Sequence, residues 1–215
     1  AACFLIENMP DQYAVLPLDS TDTYARALLS LDKEDPVSWE ISRSLVAAVF
    51  DSISKIQPES RIKIVRDIEV MTSDYLIENI ESAFKVWNRR GVAKHYSFDD
   101  FCSYVLPYRV AHEPLSHWRR TALQRYGHWL DSLNAPQDIA RSIAMRYPVR
   151  YNAGMTKYPY IMSYEEMDSL QWGTCDDMTA FLTLSLRAIG IPAATDVVKA
   201  WANRSSAHCW NVVKD

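Results

Sequence analysis

Apolar positions in the first two thirds of the chain recur at three- and four-residue spacing between short polar or Pro-containing breaks. That period predicts a succession of helices. Val37, Ile41, Leu45, Val46, Val49 and Ile53 form one stripe on a helix over 37–56. Leu76, Ile77, Ile80, Phe84 and Trp87 form another over 73–90, with Ser73 as the expected N-cap and Gly91 just past the C-terminal end. Ser97-Phe98-Asp99-Asp100 opens a short helix that Pro107 must end, because the proline ring clashes with a continuing turn. Pro114 fits the first turn of the next helix, which runs to about Leu133, and Ala135-Pro136 starts another through Tyr147.

From Tyr147 to Tyr160 the period is lost. Pro148, Asn152, Gly154 and Pro159 break up a tyrosine-rich stretch that reads as a long irregular loop, a kind of segment often tied to function. Ser163 and Glu166 then have the spacing of a capping box for a short helix to about Leu170. A strong helix follows Gly173-Thr174-Cys175, over Asp176–Ile189, closed by Gly190 and Pro192. Met178, Phe181, Leu182, Leu186 and Ile189 line one of its faces, and Ala180, Leu184 and Ala188 a second. A helix apolar on two sides is sandwiched in a core. After Pro192 the period becomes two, with Thr195, Val197 and Lys199 alternating with Asp196, Val198 and Ala200. A turn at Asn203–Ser206 leads to a strand with His208, Trp210 and Val212 on one face and Cys209, Asn211 and Val213 on the other. The expected fold class is therefore α+β: a helical region over residues 1–112, then a core over residues 113–215 built from a Cys-bearing helix and an antiparallel hairpin.

Composition narrows the chemistry. Nearly half of the 215 residues are hydrophobic, enough for a sizeable core, and no apolar run is long enough to span a membrane. A net charge of −4 without a basic stretch argues against nucleic acid as a partner. There are 5 glycines, where average usage would give about 15, and neither GxGxxG nor GxxxxGK[ST] occurs. Kinase, Rossmann and P-loop chemistry are excluded. The cysteines Cys3, Cys102, Cys175 and Cys209 include no CxxC pair and are too sparse for a disulfide scaffold. At the N-terminus, Ala1-Ala2-Cys3-Phe4-Leu5 reads as a helix turn. Small residues before a cysteine also suit a lipoprotein processing site, so Cys3 has two readings.

Cys175 stands at the first turn of the buried helix, where unpaired N–H groups and the macrodipole favour an anion and so a thiolate. The hairpin can bring His208 beside it as base and then as acid for a leaving amine. Against this, Asp176 and Asp177 suit a helix start but oppose a thiolate, and a buried cysteine or histidine often has no role beyond packing. Cys209, on the strand face opposite His208, is expected to lie outside the site.

Three segments carry a resemblance: Trp172-Gly-Thr-Cys175-Asp-Asp-Met-Thr-Ala-Phe181, Leu186-Arg-Ala-Ile-Gly190-Ile-Pro-Ala193, and His208-Cys-Trp210-Asn-Val. Their order and spacing over about 170–213 resemble the transglutaminase-like superfamily, although Ala194 stands where that family often has Arg. Upstream, Phe101 to Arg119, with Tyr108, Arg109, Glu113 and Trp118, is similar to the helical region preceding this core in large multidomain bacterial members. The resemblance implies a papain-like fold with Cys175 as nucleophile and His208 as base. The third residue of the triad is expected beyond 215, Asp215 being too close to His208, so the core is read as incomplete at its C-terminus. Trp172, Trp210, Tyr108 and Arg109 are the expected substrate-binding residues, with an Arg-Glu pair and a Trp packing two helices together as the competing reading of the 101–119 segment.

The implied function is acyl transfer or hydrolysis on a peptide or amide substrate through a thioester, with no metal and no cofactor. The implied partners are a peptide or protein substrate and other domains of the same longer chain. Export or a cell-envelope location follows if the bacterial relatives are a guide. The backbone N–H of Cys175 is the expected oxyanion donor, with Gln171 as a further possible donor. The alternative is a non-catalytic binding or scaffolding module that keeps the fold.

Overall fold

A computed structural model describes residues 1–17, 23–30, 39–56, 62–89, 95–132, 134–158, 160–200 and 206–214. The chain is an α+β protein. Its first elements are α1 (Ala2–Asn8), β1 (Tyr13–Pro17), α2 (Thr23–Leu29), α3 (Trp39–Ile56), β2 (Ile62–Arg66), α4 (Asp67–Val70) and α5 (Ser73–Trp87). Next come α6 (Phe98–Asp100), continuing as a wide π turn over Phe101–Val105, and α7 (Trp118–Tyr126) with a 3-10 turn at Gly127–Trp129. The remainder is α8 (Pro136–Ala144), β3 (Arg150–Tyr151), a 3-10 turn over Ala153–Lys157, α9 (Tyr164–Leu170), β4 (Trp172–Gly173), α10 (Cys175–Ala188), β5 (Ala193–Val198) and β6 (His208–Val213).

Each sheet has two strands. β1 pairs antiparallel with β2, β3 pairs parallel with β4, and β5–β6 form an antiparallel hairpin with Ala193 opposite Val213 and Val198 opposite His208. The β1–β2 pair joins segments almost fifty residues apart, a pairing that leaves no local signature in the sequence. α10 is the centre of the molecule. Every residue from Thr179 to Ala188 is buried, and Ala180, Phe181, Leu184 and Ala188 belong to one cluster with Trp118 and Ala122 of α7, Tyr164 and Met167 of α9 and Phe50 of α3. Ile139 and Ile143 of α8 with Ala193 of β5 form a second cluster on its other side. Its C-terminus closes as expected. Gly190 takes a left-handed φ of 81°, its N–H donates to Arg187 O, and that of Ile191 donates to Leu186 O.

Several expected boundaries move. The cap of α5 is Thr72, whose Oγ1 accepts from Tyr75 N at 3.2 Å, while Ser73 is already the first helical residue. Pro114 does not open a helix. The Glu113 carboxylate accepts from Val110 N and Ala111 N, folding 107–117 into an irregular path, and helix begins only at Trp118. Within 147–160 lie β3 and a 3-10 turn. The Asn152 side chain starts that turn by accepting from Gly154 N at 2.8 Å. A Cβ at Gly154 would come 2.9 Å from Arg43 O and 3.0 Å from Val46 Cβ, so only glycine lets the turn sit on α3. Val37, Gly91, Leu133, Pro159, the turn residues 203–205 and Asp215 lie outside the described residues.

Three buried arginines tie the layers together. Arg109 holds the fully buried Asp67 through two bonds of 2.6 and 2.8 Å and also donates to the carbonyls of Tyr13 and Glu113. Arg119 donates to Asn79 Oδ1 and to the carbonyls of Val105, Leu106 and Arg187, with its guanidinium 4.3 Å from the Trp118 ring. Arg187 donates to the carbonyls of Ala193 and Arg109. These bonds cross the expected border between residues 112 and 113. Desolvation pushes Arg119 and Arg187 below the ordinary guanidinium range, and the carbonyl oxygens around them supply the negative ends that keep the charge tolerable.

Removing one partner of a buried ion pair strands the other charge. Asp67→Ala is therefore expected to lower unfolding stability by about 3–5 kcal/mol, read from urea denaturation. Replacing both partners, Asp67→Leu with Arg109→Met, should recover most of that loss.

Candidate active site at the start of a buried helix

The first turn of α10 is fixed from both sides. Thr174 is its N-cap and shares a capping box with Asp177. Asp177 Oδ2 accepts from Thr174 N and Thr174 Oγ1, each at 2.8 Å, and Thr174 Oγ1 accepts from Asp177 N. Upstream, Gln171 takes a left-handed φ of 59° and reverses the chain out of α9 into β4. β4 then pairs with β3, with Gln171 O accepting from Arg150 N and Gly173 O accepting from Asn152 N. Cys175, half-buried, is thus delivered as the first helical residue at the point where the buried helix reaches the surface.

The second wall is β6. Asn211 anchors it to α10, Nδ2 donating to Thr179 O and to Thr183 Oγ1 at 2.8 Å each. The strand alternates as expected, with His208, Trp210 and Val212 exposed and Cys209 buried. The result is an open cleft of about 630 Å³ lined by Tyr151, Cys175, Met178, His208, Cys209 and Trp210, together with Ser206, Ala207 and Asn211. The His208 and Trp210 rings, 6.3 Å apart between centroids, stand together on the exposed face.

Of the residues singled out from sequence, Cys175, His208 and Trp210 meet in this cleft. Trp172 is half-buried against the main core cluster and is not among the cleft residues. Tyr108 and Arg109 belong elsewhere. Both line a separate pocket with Phe4, Leu5 and Gln12, and Arg109 is committed to Asp67. Gln171 is exposed and lines none of these pockets. Cys209 overturns its expectation. Although it faces away from His208 along the strand, that inward direction points it at the helix start, where it joins Cys175.

The carboxylates also separate in role. Asp177 is turned back into the cap, and burial pushes its carboxyl up against the opposing pull of its Thr174 bonds. Asp176 is exposed and accepts from Cys209 Sγ at 3.1 Å, while Thr179 Oγ1 lies 3.2 Å from the same sulfur. Burial first, then the Asp176 carboxylate, push the Cys209 thiol far above its usual range. The Cys175 sulfur, an Asp176 oxygen and the Cys209 sulfur all lie within 4.8 Å of one another, which is also the donor set that could hold a metal ion.

Beyond the cap lies a second cleft of about 590 Å³, where His112, Tyr158, Tyr160, Thr174, Asp176 and Asp177 are among the lining residues. Among the described residues His112 Nδ1, buried there, has no hydrogen-bond partner, and its ring stacks on Tyr13 at 4.0 Å. Sequence reasoning missed Tyr151, Met178, Asn211 and the Thr174–Asp177 box. The last was visible as a Thr-x-x-Asp spacing just before an apolar run.

No protein-family model, no curated protein and no solved structure matches the chain. Among the described residues no helix is long and apolar enough to cross a membrane.

The cap geometry leaves no room beside Gly173, where a Cβ would stand 2.7 Å from Asp177 Cβ. Gly173→Ala is therefore expected to lower stability by about 1–3 kcal/mol and to change the alkylation rate of Cys175. Gly127→Ala, whose Cβ would meet only Leu123 Cδ2 at 4.0 Å, is the control. It should be neutral or stabilising by up to about 1 kcal/mol in thermal melts.

Proposed function

We propose that the chain is a transglutaminase-like cysteine enzyme with a papain-like core, acting on a peptide or related amide by acyl transfer or hydrolysis. One observation carries the reading: Cys175, the first residue of a buried helix, and His208, on the facing strand, line the same open cleft. The motif residues Trp172 to Phe181, Leu186 to Ala193 and His208 to Val212 support it by their resemblance to that superfamily.

In this reading His208 takes the Cys175 proton, and the sulfur attacks the amide carbonyl carbon. The oxyanion that forms develops against the N–H groups of the first helical turn, with Cys175 N–H as the donor nearest by position. His208 then protonates the departing amine as the C–N bond breaks, leaving a thioester. Water hydrolyses the thioester, or a second amine takes the acyl group; both outcomes share this first half-reaction. Trp210 and Tyr151 supply aromatic walls for the substrate chain. Asp176 works against the thiolate at close range, so the helix start and the imidazolium must together outweigh it.

The test is acylation by p-nitrophenyl acetate, followed by peptide mapping. The wild-type chain should release a burst of nitrophenolate and carry a hydroxylamine-sensitive acetyl group on Cys175. His208→Ala should slow the burst by about 100-fold, and Cys175→Ala should abolish it. Acetyl groups on Cys3 alone, or a rate indifferent to His208, would sink the catalytic reading and leave the cleft as a binding surface.

A further inference from the structure

The cleft holds a second thiol for which the acyl-transfer reading has no use. Cys209 is 3% exposed, sits behind Cys175, and has its sulfur within 4.8 Å of the Cys175 sulfur. It is held in place by hydrogen bonds rather than by packing alone: its S–H points to Asp176 Oδ1, and Thr179 Oγ1 lies against the sulfur. Thr179 is itself pinned, donating to Cys175 O at 2.7 Å. The two cysteines come from different elements, a helix start and a strand, yet share one hydrogen-bonded cluster open to solvent on the Cys175 side. Cys3 and Cys102 lie elsewhere, Cys3 exposed and Cys102 buried in the cluster around Phe101.

We infer that Cys175 and Cys209 are a peroxide-sensitive pair, in which Cys175 is oxidised first and Cys209 resolves it into a disulfide. In the first step the Cys175 thiolate attacks one oxygen of a hydroperoxide. An S–O bond forms, the O–O bond breaks, and the other oxygen leaves as water or an alcohol after taking a proton. Sulfur has lost two electrons to the peroxide and is a sulfenic acid. In the second step Cys209 gives its proton to the Asp176 carboxylate while its sulfur attacks the sulfenic sulfur. The S–S bond forms and the S–O bond breaks. The departing hydroxide recovers the proton from Asp176 and leaves as water. The net change with hydrogen peroxide is two thiols and one peroxide to one disulfide and two waters.

The sulfurs must approach from within 4.8 Å to about 2.0 Å. Rotation of the half-buried Cys175 side chain at a helix end is the motion available for that. A dithiol reductant reverses the bond. The pairing does not depend on His208. Its consequence, a nucleophile withdrawn from acyl transfer, rests on the function proposed above.

The experiment oxidises the reduced chain with hydrogen peroxide, blocks free thiols with N-ethylmaleimide and maps tryptic peptides. Arg187, Lys199 and Arg204 lie between the two cysteines, so a link joins two distinct peptides. The expected result is a Cys175–Cys209 peptide pair that disappears with dithiothreitol. Cys209→Ser and Cys209→Ala should instead take Cys175 on to the irreversible sulfinic acid; the first keeps a hydroxyl beside Thr179 should the second fail to fold. Asp176→Asn should slow disulfide formation about tenfold, less than the usual hundredfold or more for a general base because solvent reaches that carboxylate. His208→Ala should still form the link, which separates this result from the acylation test. A wild-type chain that accumulates sulfinic acid on Cys175 with Cys209 still free for alkylation overturns the proposal. So does zinc bound to the pair as isolated, with no disulfide until a chelator removes it.

Discussion

Burying a helix on every side requires partners for whatever polar groups it carries, and α10 carries four polar side chains in its buried run. Thr183 Oγ1 accepts from Asn211 Nδ2 of β6 and lies 3.3 Å from Thr195 Oγ1 of β5. Ser185 meets Tyr164 OH of α9 and donates to Phe181 O. Arg187 reaches the Ala193 and Arg109 carbonyls, and Thr179 meets Cys209. Each unmet group would cost its full desolvation penalty, about 1–3 kcal/mol for a neutral one. The neighbours of α10 are therefore fixed in position as well as packed. This requirement places the hairpin against the helix and so lays β6 along its N-terminal end.

At that end the electrostatics are a contest. The helix start favours negative charge, and it already holds two carboxylates before any thiolate forms. Asp177 is absorbed into the cap, where its charge satisfies backbone N–H and hydroxyl donors. Asp176 is engaged by the Cys209 thiol. The local field therefore depends on where protons sit among Cys175, Asp176, Cys209 and His208, and no one of these groups determines it.

Elements whose information is local were legible in the sequence. α9 carries the Ser163–Glu166 box, α10 its closing Gly190 and Pro192, and the hairpin its period-two alternation, so the placing of Cys175 and His208 on one cleft could be anticipated from these short-range signals. The β1–β2 pairing could not, since Tyr13 and Arg66 meet only through the tertiary fold. The true partner of Arg109 was hidden for a related reason. In sequence it stands among aromatic and polar residues suited to a cleft, but its partner is Asp67, forty-two residues upstream. The misplacement of Cys209 has a different cause. Strand alternation separates it from His208, yet both faces of β6 border the same cleft at the end of the helix.

The division within α10 bears on how such a domain changes over evolution. Residues 179–188 are locked by burial and by hydrogen bonds from four directions, whereas 174–177 are held chiefly by the cap and reach solvent. A substitution at Cys175 would remove the proposed nucleophile but leave the Thr174–Asp177 box and the buried run untouched. The proposed chemistry and the folding thus draw on separate turns of one helix. A lineage could lose such a reaction and keep the scaffold, with its aromatic cleft intact for selection to use again.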